Sequence, residues 1–359
     1  MFSFCHNKLL YNIELVISIL VLLSCVYNYI ESPRMMCLLN SCRNPTFMTM
    51  VSMFPRAVAI TCMISRFTAM YKNISAIHNY KKKIKDYEVY YPMSVAKENL
   101  RRFFIIFVAI LYSILIIPFN VYRLYLLYYY LKNIMINLFF VLTYLQNVSM
   151  SMTEIQFMLH CSGLYVKFQS INEDMSTMKS KMILLNRYPF VLKSEGRKSI
   201  DLYPSARNIE LLKMRHQFVC ESVSNLNEIY SIQIGMSICV LFVMLLFDVY
   251  EAVTTKLAQT KTPLLLYVWL IQYIFRFVIV ILTSYVTTKE GHRTKMLITD
   301  IHNRNLDSRT KEELRLFLNQ ACNHSIEFTT FDFLTLNTHL ITSAIVAGTT
   351  YIVILLQFR

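Results

Sequence analysis

The sequence predicts an all-α membrane protein: seven transmembrane helices, N-terminus cytoplasmic and C-terminus extracellular, with a helical cytoplasmic anchor region. Three observations predict it. First, 55% of the 359 residues are hydrophobic and only 16% are charged, where soluble chains average about a quarter. That is too little charge to cover a water-facing surface, and the mean hydropathy is +0.41. Second, apolar runs of membrane-spanning length recur along the whole chain. Third, the basic residues outnumber the acidic ones 36 to 22 and cluster in alternate segments between those runs. Bases placed this way, rather than along one face, argue against a nucleic-acid partner. Five glycines and eight prolines beside 24 Tyr and 24 Phe exclude disordered and collagen-like chains.

A span needs about 20 mostly apolar residues. The runs at 9–30, 46–70, 103–122, 134–160, 231–250, 264–288 and 331–358 meet this requirement. The first has Lys8 ahead of an apolar stretch, as a signal peptide does, but it is long and carries no small-residue cleavage site. The second and third contain Pro55 and Pro118, which would kink them. The third stays apolar through Leu124-Tyr125-Leu126-Leu127 to Leu131, so its helix should project beyond the bilayer. Lys and Arg number 26 in the N-terminus, 71–102, 161–230 and 289–330, against 7 in the intervening outer segments and the C-terminus. The positive-inside rule places the first set in the cytoplasm. Cys37 and Cys42 share one outer loop, where a disulfide and two free thiols are both open.

The cytoplasmic segments carry their own pattern. Lys81-Lys82-Lys83-Ile84-Lys85 reads as a topology determinant beside anionic membrane lipids. Between Ser205 and Tyr230, apolar residues recur at Ile209, Leu212, Val219, Val223, Leu226 and Ile229, so a helix should run from the cytoplasm into the fifth span. Another should start near Ser308, with Thr310-x-x-Glu313 as a capping box and Leu314, Phe317, Leu318 and Ala321 on one face. His216-x-x-x-Cys220 has metal spacing but reads as a packed pair. No phosphate loop, CxxC or HExxH occurs, so no metal, cofactor or catalytic residue is expected.

The last span is the most informative. On a helical wheel begun at Thr335, one face holds Thr335, Thr338, His339, Thr342, Val346, Thr349, Thr350, Val353 and Gln357. Such a polar stripe has two explanations. One is hydrogen bonding between helices. The other is a water-filled pathway shared by copies of the helix, with Val346 and Val353 as apolar rings that close by dewetting. Ala344-x-x-x-Gly348 on the opposite face permits close helix packing.

The same segment carries a family resemblance. Thr350-Tyr351, the apolar residues Ile352 to Leu356, and then Gln357-Phe358 resemble the TYhhhhhQF signature that ends the last helix of insect gustatory receptors. Phe331, Leu336 and the small residues from Ser343 to Gly348 are similar to that family too; elsewhere only the layout agrees. The resemblance implies a tastant-gated, non-selective cation channel of the plasma membrane, related to insect odorant receptors. It implies a homo- or hetero-tetramer with its last helices around a central pore, an anchor domain of inner halves, and a small-molecule ligand in each outer half. Three regions follow: a ligand-sensing bundle with its loops at 1–304, an anchor helix at 305–330 and a pore-lining helix at 331–358.

Wheel and resemblance together mark Thr342, Val346, Thr350, Val353, Gln357 and Phe358 as pore or gate residues. Thr350, Tyr351, Gln357 and Phe358 are the family motif. Gln357 and Phe358 match the family's outer constriction, although the wheel sets Phe358 about 100° from the stripe. Sugar-sensing relatives often carry Glu after the Thr-Tyr pair. Here that position is Ile352, which disfavours a sugar type and leaves a bitter or a fructose type open, bitter being favoured because most members of that family are of that kind.

The outer halves offer Tyr122, Tyr125, Tyr144, Asn147, Asp248, Trp269, Gln272 and Tyr273 as ligand-binding candidates. Aromatics at membrane ends ordinarily form the interfacial belt, but aromatic walls with a few polar anchors also suit a small organic ligand. Arg276, mid-way along span 6, needs a partner, because a lone charge there costs about 2.5–3.5 kcal/mol. Glu154 in span 4 is the candidate, as Glu14 is for Arg66. Asp332 either caps the last helix or concentrates cations at the pore mouth. A G-protein-coupled receptor would show the opposite charge bias, and neither D-R-Y after span 3 nor N-P-x-x-Y in span 7 occurs. A membrane transporter of small organic molecules would show repeats or paired broken helices, and none is visible.

Overall fold

The computed structural model describes residues 2–40, 45–70, 74–92, 94–187, 206–257, 264–302 and 306–357. Among them run α1 (Phe2–Asn40), α2 (Pro45–Thr68), α3 (Ile74–Tyr90), α4 (Val95–Leu131), α5 (Ile134–Arg187), α6 (Ala206–Leu257), α7 (Leu264–His302), α8 (Ser308–Asn323) and α9 (Thr338–Gln357). A two-stranded hairpin, β1 (Thr329–Thr330) and β2 (Leu334–Thr335), stands between α8 and α9. Six helices are long and apolar enough to cross a membrane: α1, α4, α5, α6, α7 and α9. The remaining predicted span falls on α2, which is not among these six. The outward side of α4 repeats apolar residues from Phe103 (67% exposed) to Val121 (57%), a face that only lipid covers comfortably. The chain is a multi-pass membrane protein.

Several helices outrun the bilayer. α5 has 54 residues, about 80 Å at the helical rise, against a hydrocarbon core of about 30 Å. The excess lies at the end that carries the basic segments, called the basic end below. There α5, α6, α7 and α8 close around Phe168, Ile171, Met175, Ile298, Ile301, Leu314 and Phe317, each fully buried. The predicted stripe from Ile209 to Ile229 faces this core, as do Leu314, Phe317 and Ala321 of α8. Asn172 ties α5 to α7, donating to Glu290 and accepting from Thr294. His216 and Cys220 sit in the same core, with the His216 ring edge-on to Phe168 and Phe317. Burial pushes His216 down to about 4, so it packs as a neutral ring.

The Lys81–Lys85 run lies on helix α3. Two expectations need correction. The predicted capping box at Thr310 and Glu313 does not form: Asp307 caps α8, accepting from the Thr310 N–H at 3.1 Å, and Glu313 pairs with Lys213 at 2.7 Å. The last span does not begin at 331. Phe331 and Asp332 take left-handed conformations, φ 53° and 61°, that turn the chain between β1 and β2. The helix starts only where the Asn337 side chain accepts from the Leu340 N–H at 3.1 Å. Thr335 therefore belongs to a strand, and Asp332 at the turn does not cap α9. Cys37 is disulfide-bonded; Cys42 lies outside the described residues.

The Asp307 cap gives a first prediction. Bonds from the Thr310 hydroxyl and N–H hold its carboxyl below the usual range. With a depressed folded-state pKa, the cap's stabilisation is present above the ordinary carboxylate pKa and is lost as pH falls through the folded one. Asp307→Ala should cost about 1 kcal/mol, seen at neutral pH as a lower thermal midpoint of the solubilised protein. An unchanged midpoint would remove the cap from the account.

Candidate functional site

Two of the polar clusters within the bundle differ in their chemistry. The first, at mid-depth, joins α4, α5, α6 and α7. Arg276 meets Glu154 in a fork, Nη2 to Oε1 at 2.7 Å and Nε to Oε2 at 3.0 Å. Its Nη1 donates to Asn147 Oδ1 at 2.7 Å. Tyr112 donates to Glu154 Oε2 at 3.1 Å, and the Ser237 hydroxyl donates to Oε1. Both charged side chains are 1% exposed. The carboxylate thus accepts four bonds, which is its full capacity. The carboxylate is saturated, and the cluster pairs the two charges that the sequence left looking for partners. Arg66 donates to Ser149 at 2.9 Å, while the Glu14 side chain lies outside the described ones.

The second cluster stands nearer the end opposite the basic one. α4 contributes Asn120 and Arg123, α5 Phe140 and Tyr144, α6 Asp248, and α7 Trp269, Gln272 and Tyr273. The Arg123 guanidinium lies 4.2 Å from the centre of the Trp269 ring and 5.0 Å from that of Phe140, within cation–π range. Its charge is felt at Asp248 and Tyr144. On the same helices, four buried polar atoms have no hydrogen-bond partner among the described residues: Asn120 Nδ2, Asp248 Oδ2, and both Oε1 and Nε2 of Gln272; the Tyr144 hydroxyl faces the Arg123 guanidinium. Gln272 is 1% exposed. Each such group carries a desolvation penalty of about 1–3 kcal/mol unless a water or a ligand answers it.

The cluster collects part of the predicted ligand set. Tyr144, Asp248, Trp269, Gln272 and Tyr273 come together. Asn147 is committed to Arg276. Tyr122 and Tyr125 point away on the outer face of α4, 53% and 61% exposed. Sequence reasoning missed Asn120 and Phe140. Asn120 carried a signal, since it sits one turn from Arg123 and both interrupt an apolar run.

The last helix packs on one side only. Leu340, Ala344 and Gly348 face α6 and α7, and a Cβ at Gly348 would come within 3.3 Å of Leu246. The opposite side is bare: Thr342, Thr349, Thr350 and Gln357 are exposed, with Val346 at 65% and Val353 at 54%. The Thr342 hydroxyl donates back to the His339 carbonyl, and Thr349 and Thr350 to that of Val346, all at 2.9 Å. Their oxygen lone pairs stay open to water. Tyr351 is also exposed, and Phe358 lies outside the described residues.

The hairpin docks the start of α9 onto α6, through residues spaced one turn apart on α6. Asn227 donates to the Glu327 carbonyl at 2.8 Å. Ser231 Oγ accepts from the Phe331 N–H at 2.9 Å. Gly235 receives the Phe331 ring, so closely that a Cβ there would lie 2.5 Å from it.

Long helices that cross the membrane and pack together at the basic end define a multi-pass membrane protein, and its fold is that of solved insect olfactory receptors. The olfactory receptor OR5 of Machilis hrabei superposes with a TM-score of 0.68 over 96% of this chain and 89% of that one, at 11% identity. The same receptor in complex with eugenol gives 0.66 at 12% identity over the same shares. The chain belongs to the 7tm chemosensory receptor family, whose model matches residues 2–359; this is a family of receptors, not of enzymes. In sequence it is similar to the putative gustatory receptor 28b of Drosophila melanogaster, 24% identical over 152 residues. That match takes in 40% of this chain and 32% of the relative's length.

Proposed function

We propose that this chain is a gustatory receptor that works as a tastant-gated, non-selective cation channel, assembled as a homo- or hetero-tetramer in the plasma membrane. The observation that carries the reading is the contrast between the two clusters. One pairs its two buried charges with each other and holds the bundle together. The other keeps four polar atoms unanswered on the helices that carry Trp269 and Phe140. Aromatic walls with a few convergent polar anchors suit a small organic ligand, and the relative of this fold in complex with eugenol is occupied by such a molecule. Ile352 after the Thr-Tyr pair disfavours a sugar-type ligand, and a bitter-type one is the reading because most receptors with this motif are of that kind. The basic end faces the cytoplasm, which sets the cluster in the outer half. The bare side of α9 lines the pore, with Thr342, Val346, Thr350, Val353 and Gln357 along it and Phe358 at the outer constriction.

Agonist-evoked current in cells expressing only this chain tests the channel. Gln272→Leu tests the site. The variant removes two unpaired polar atoms at nearly constant volume, so thermal stability should hold or rise. The agonist concentration for half-maximal current should rise about tenfold or more, the worth of one or two buried hydrogen bonds. Trp269→Ala should weaken the response similarly. Unchanged dose-response curves in both variants would remove the cluster as the ligand site.

A further inference from the structure

A second concavity lies far from the unpaired cluster, between α4, α5 and α7 at the basic end. Its volume is about 470 Å³. Leu100 and Phe104 of α4, Val166 of α5, and Ile279, Leu282 and Val286 of α7 make its walls almost wholly apolar. It runs from Ile279, within the predicted sixth span, to Lys97 and Gln169, at the level where α4 and α5 leave the membrane.

A cation stands in this groove without an anion. Lys97 pairs with Glu173 and Arg102 with Glu98, and the neighbouring Lys167 pairs with Glu88 at 2.7 Å. Arg101 lines the groove, carries no ion pair among the described residues, and has its Nε buried with no hydrogen-bond partner. It packs close to Gly163, where a Cβ would stand 3.2 Å from Arg101 Nη1. Three of the groove hydroxyls are occupied, Ser162 on the Leu159 carbonyl, Thr283 on that of Ile279 and Thr287 on that of Cys161, and the Tyr165 hydroxyl is a further polar group of its lining. The site therefore asks for one negative charge at its mouth and a hydrocarbon chain below it.

We infer that this groove binds one anionic phospholipid of the cytoplasmic leaflet, its phosphate on the Arg101 guanidinium and part of one acyl chain along Phe104, Leu282 and Val286. Guanidinium pairs with phosphate through a planar fork of donors, and basic pockets between membrane helices on the cytoplasmic side suit acidic headgroups. A neutral small molecule would leave the guanidinium unanswered, and a free phosphate would leave the apolar walls wet. The inference shares with the proposed function only the placing of the basic end at the cytoplasmic leaflet. Its readout is binding, so a receptor that passes no current tests it equally well.

The experiment uses the full-length receptor in nanodiscs containing trace phosphatidylserine or phosphatidylcholine with a photoreactive acyl chain, and adducts are mapped by peptide. Phosphatidylserine should label the peptides around Phe104 and Val286 about fivefold more than phosphatidylcholine. Arg101→Gln should erase that preference and Arg101→Lys should keep it. Val286→Trp, which fills the groove, should remove the adducts of both lipids. Equal labelling by the two lipids in the unmodified receptor, or a preference that survives Arg101→Gln, would overturn the inference. The comparison of lipids on the unmodified receptor decides the matter even where a variant fails to fold.

Discussion

Replacing Glu154 with Leu is expected to abolish delivery of the receptor to the cell surface. The substitution leaves Arg276 charged, 1% exposed and bonded only to Asn147. Breaking a buried pair in this way costs about 3–5 kcal/mol, a large share of a typical folding free energy of about 5–15 kcal/mol. The Tyr112 and Ser237 hydroxyls lose their acceptor at the same time, which adds to the loss. Removing both charges is far cheaper, because no uncompensated ion remains. The double variant Glu154→Leu/Arg276→Met should thus recover much of the surface population, measured by biotinylation and by a single size-exclusion peak. Its half-maximal agonist concentration should match that of the unmodified receptor, since the saturated carboxylate has no capacity left for a ligand. A double variant as poor as the single one would refute the pairing argument.

The second large effect is expected at Gly235. The Phe331 ring rests on this glycine, its N–H is held by Ser231, its backbone is left-handed, and Phe333 stacks on it at 6.1 Å. A Cβ at 2.5 Å forces the ring away, and the hairpin must follow it. Overpacking of this kind costs about 1–3 kcal/mol. Spent on one of two conformations, it shifts a shut-to-open equilibrium by about five- to a hundredfold. Gly235→Ala should therefore reach the surface at near-normal level yet pass about tenfold less agonist-evoked current or lower still. Phe331→Ala in the same chain makes room for the new methyl group and should restore most of that current. A normal current from Gly235→Ala would mean that the hairpin does not couple the bundle to α9.

Much of the architecture was legible in the sequence, and for identifiable reasons. Hydrocarbon excludes unpaired backbone, so spans advertise themselves as apolar runs. Arg276 and Glu154 could be matched because a lone charge at that depth is intolerable and few opposite charges share it. The stripe from Ile209 to Ile229 foretold the helix that enters the fifth span. The hairpin was not legible. Phe331 to Leu336 continues the composition of the span behind it, and left-handed Phe331 and Asp332 are not glycines, so nothing in their identity announces a turn. Asn337 was the one available signal, a residue that caps helices well. At α8 the Thr310–Glu313 spacing misled, because Asp307 stood three residues earlier and reached the Thr310 N–H first, while Lys213 drew Glu313 away.

The candidate ligand site divides in the same way. Composition and charge by themselves determined a multi-pass helical chain, most of its spans and the end at which its basic residues collect. They also determined a pool of polar and aromatic residues opposite that end. Only the tertiary structure decided which of them meet. The rotation of each helix about its own axis turns Tyr122 and Tyr125 outward and Tyr144 and Gln272 inward, and that rotation is set by packing against neighbours rather than by any local preference. Packing likewise decided that Asn147 is spent on Arg276 while Gln272 is left with two unanswered atoms. A hydrogen bond between helices is a fact about two segments far apart in the chain, and neither segment alone contains it.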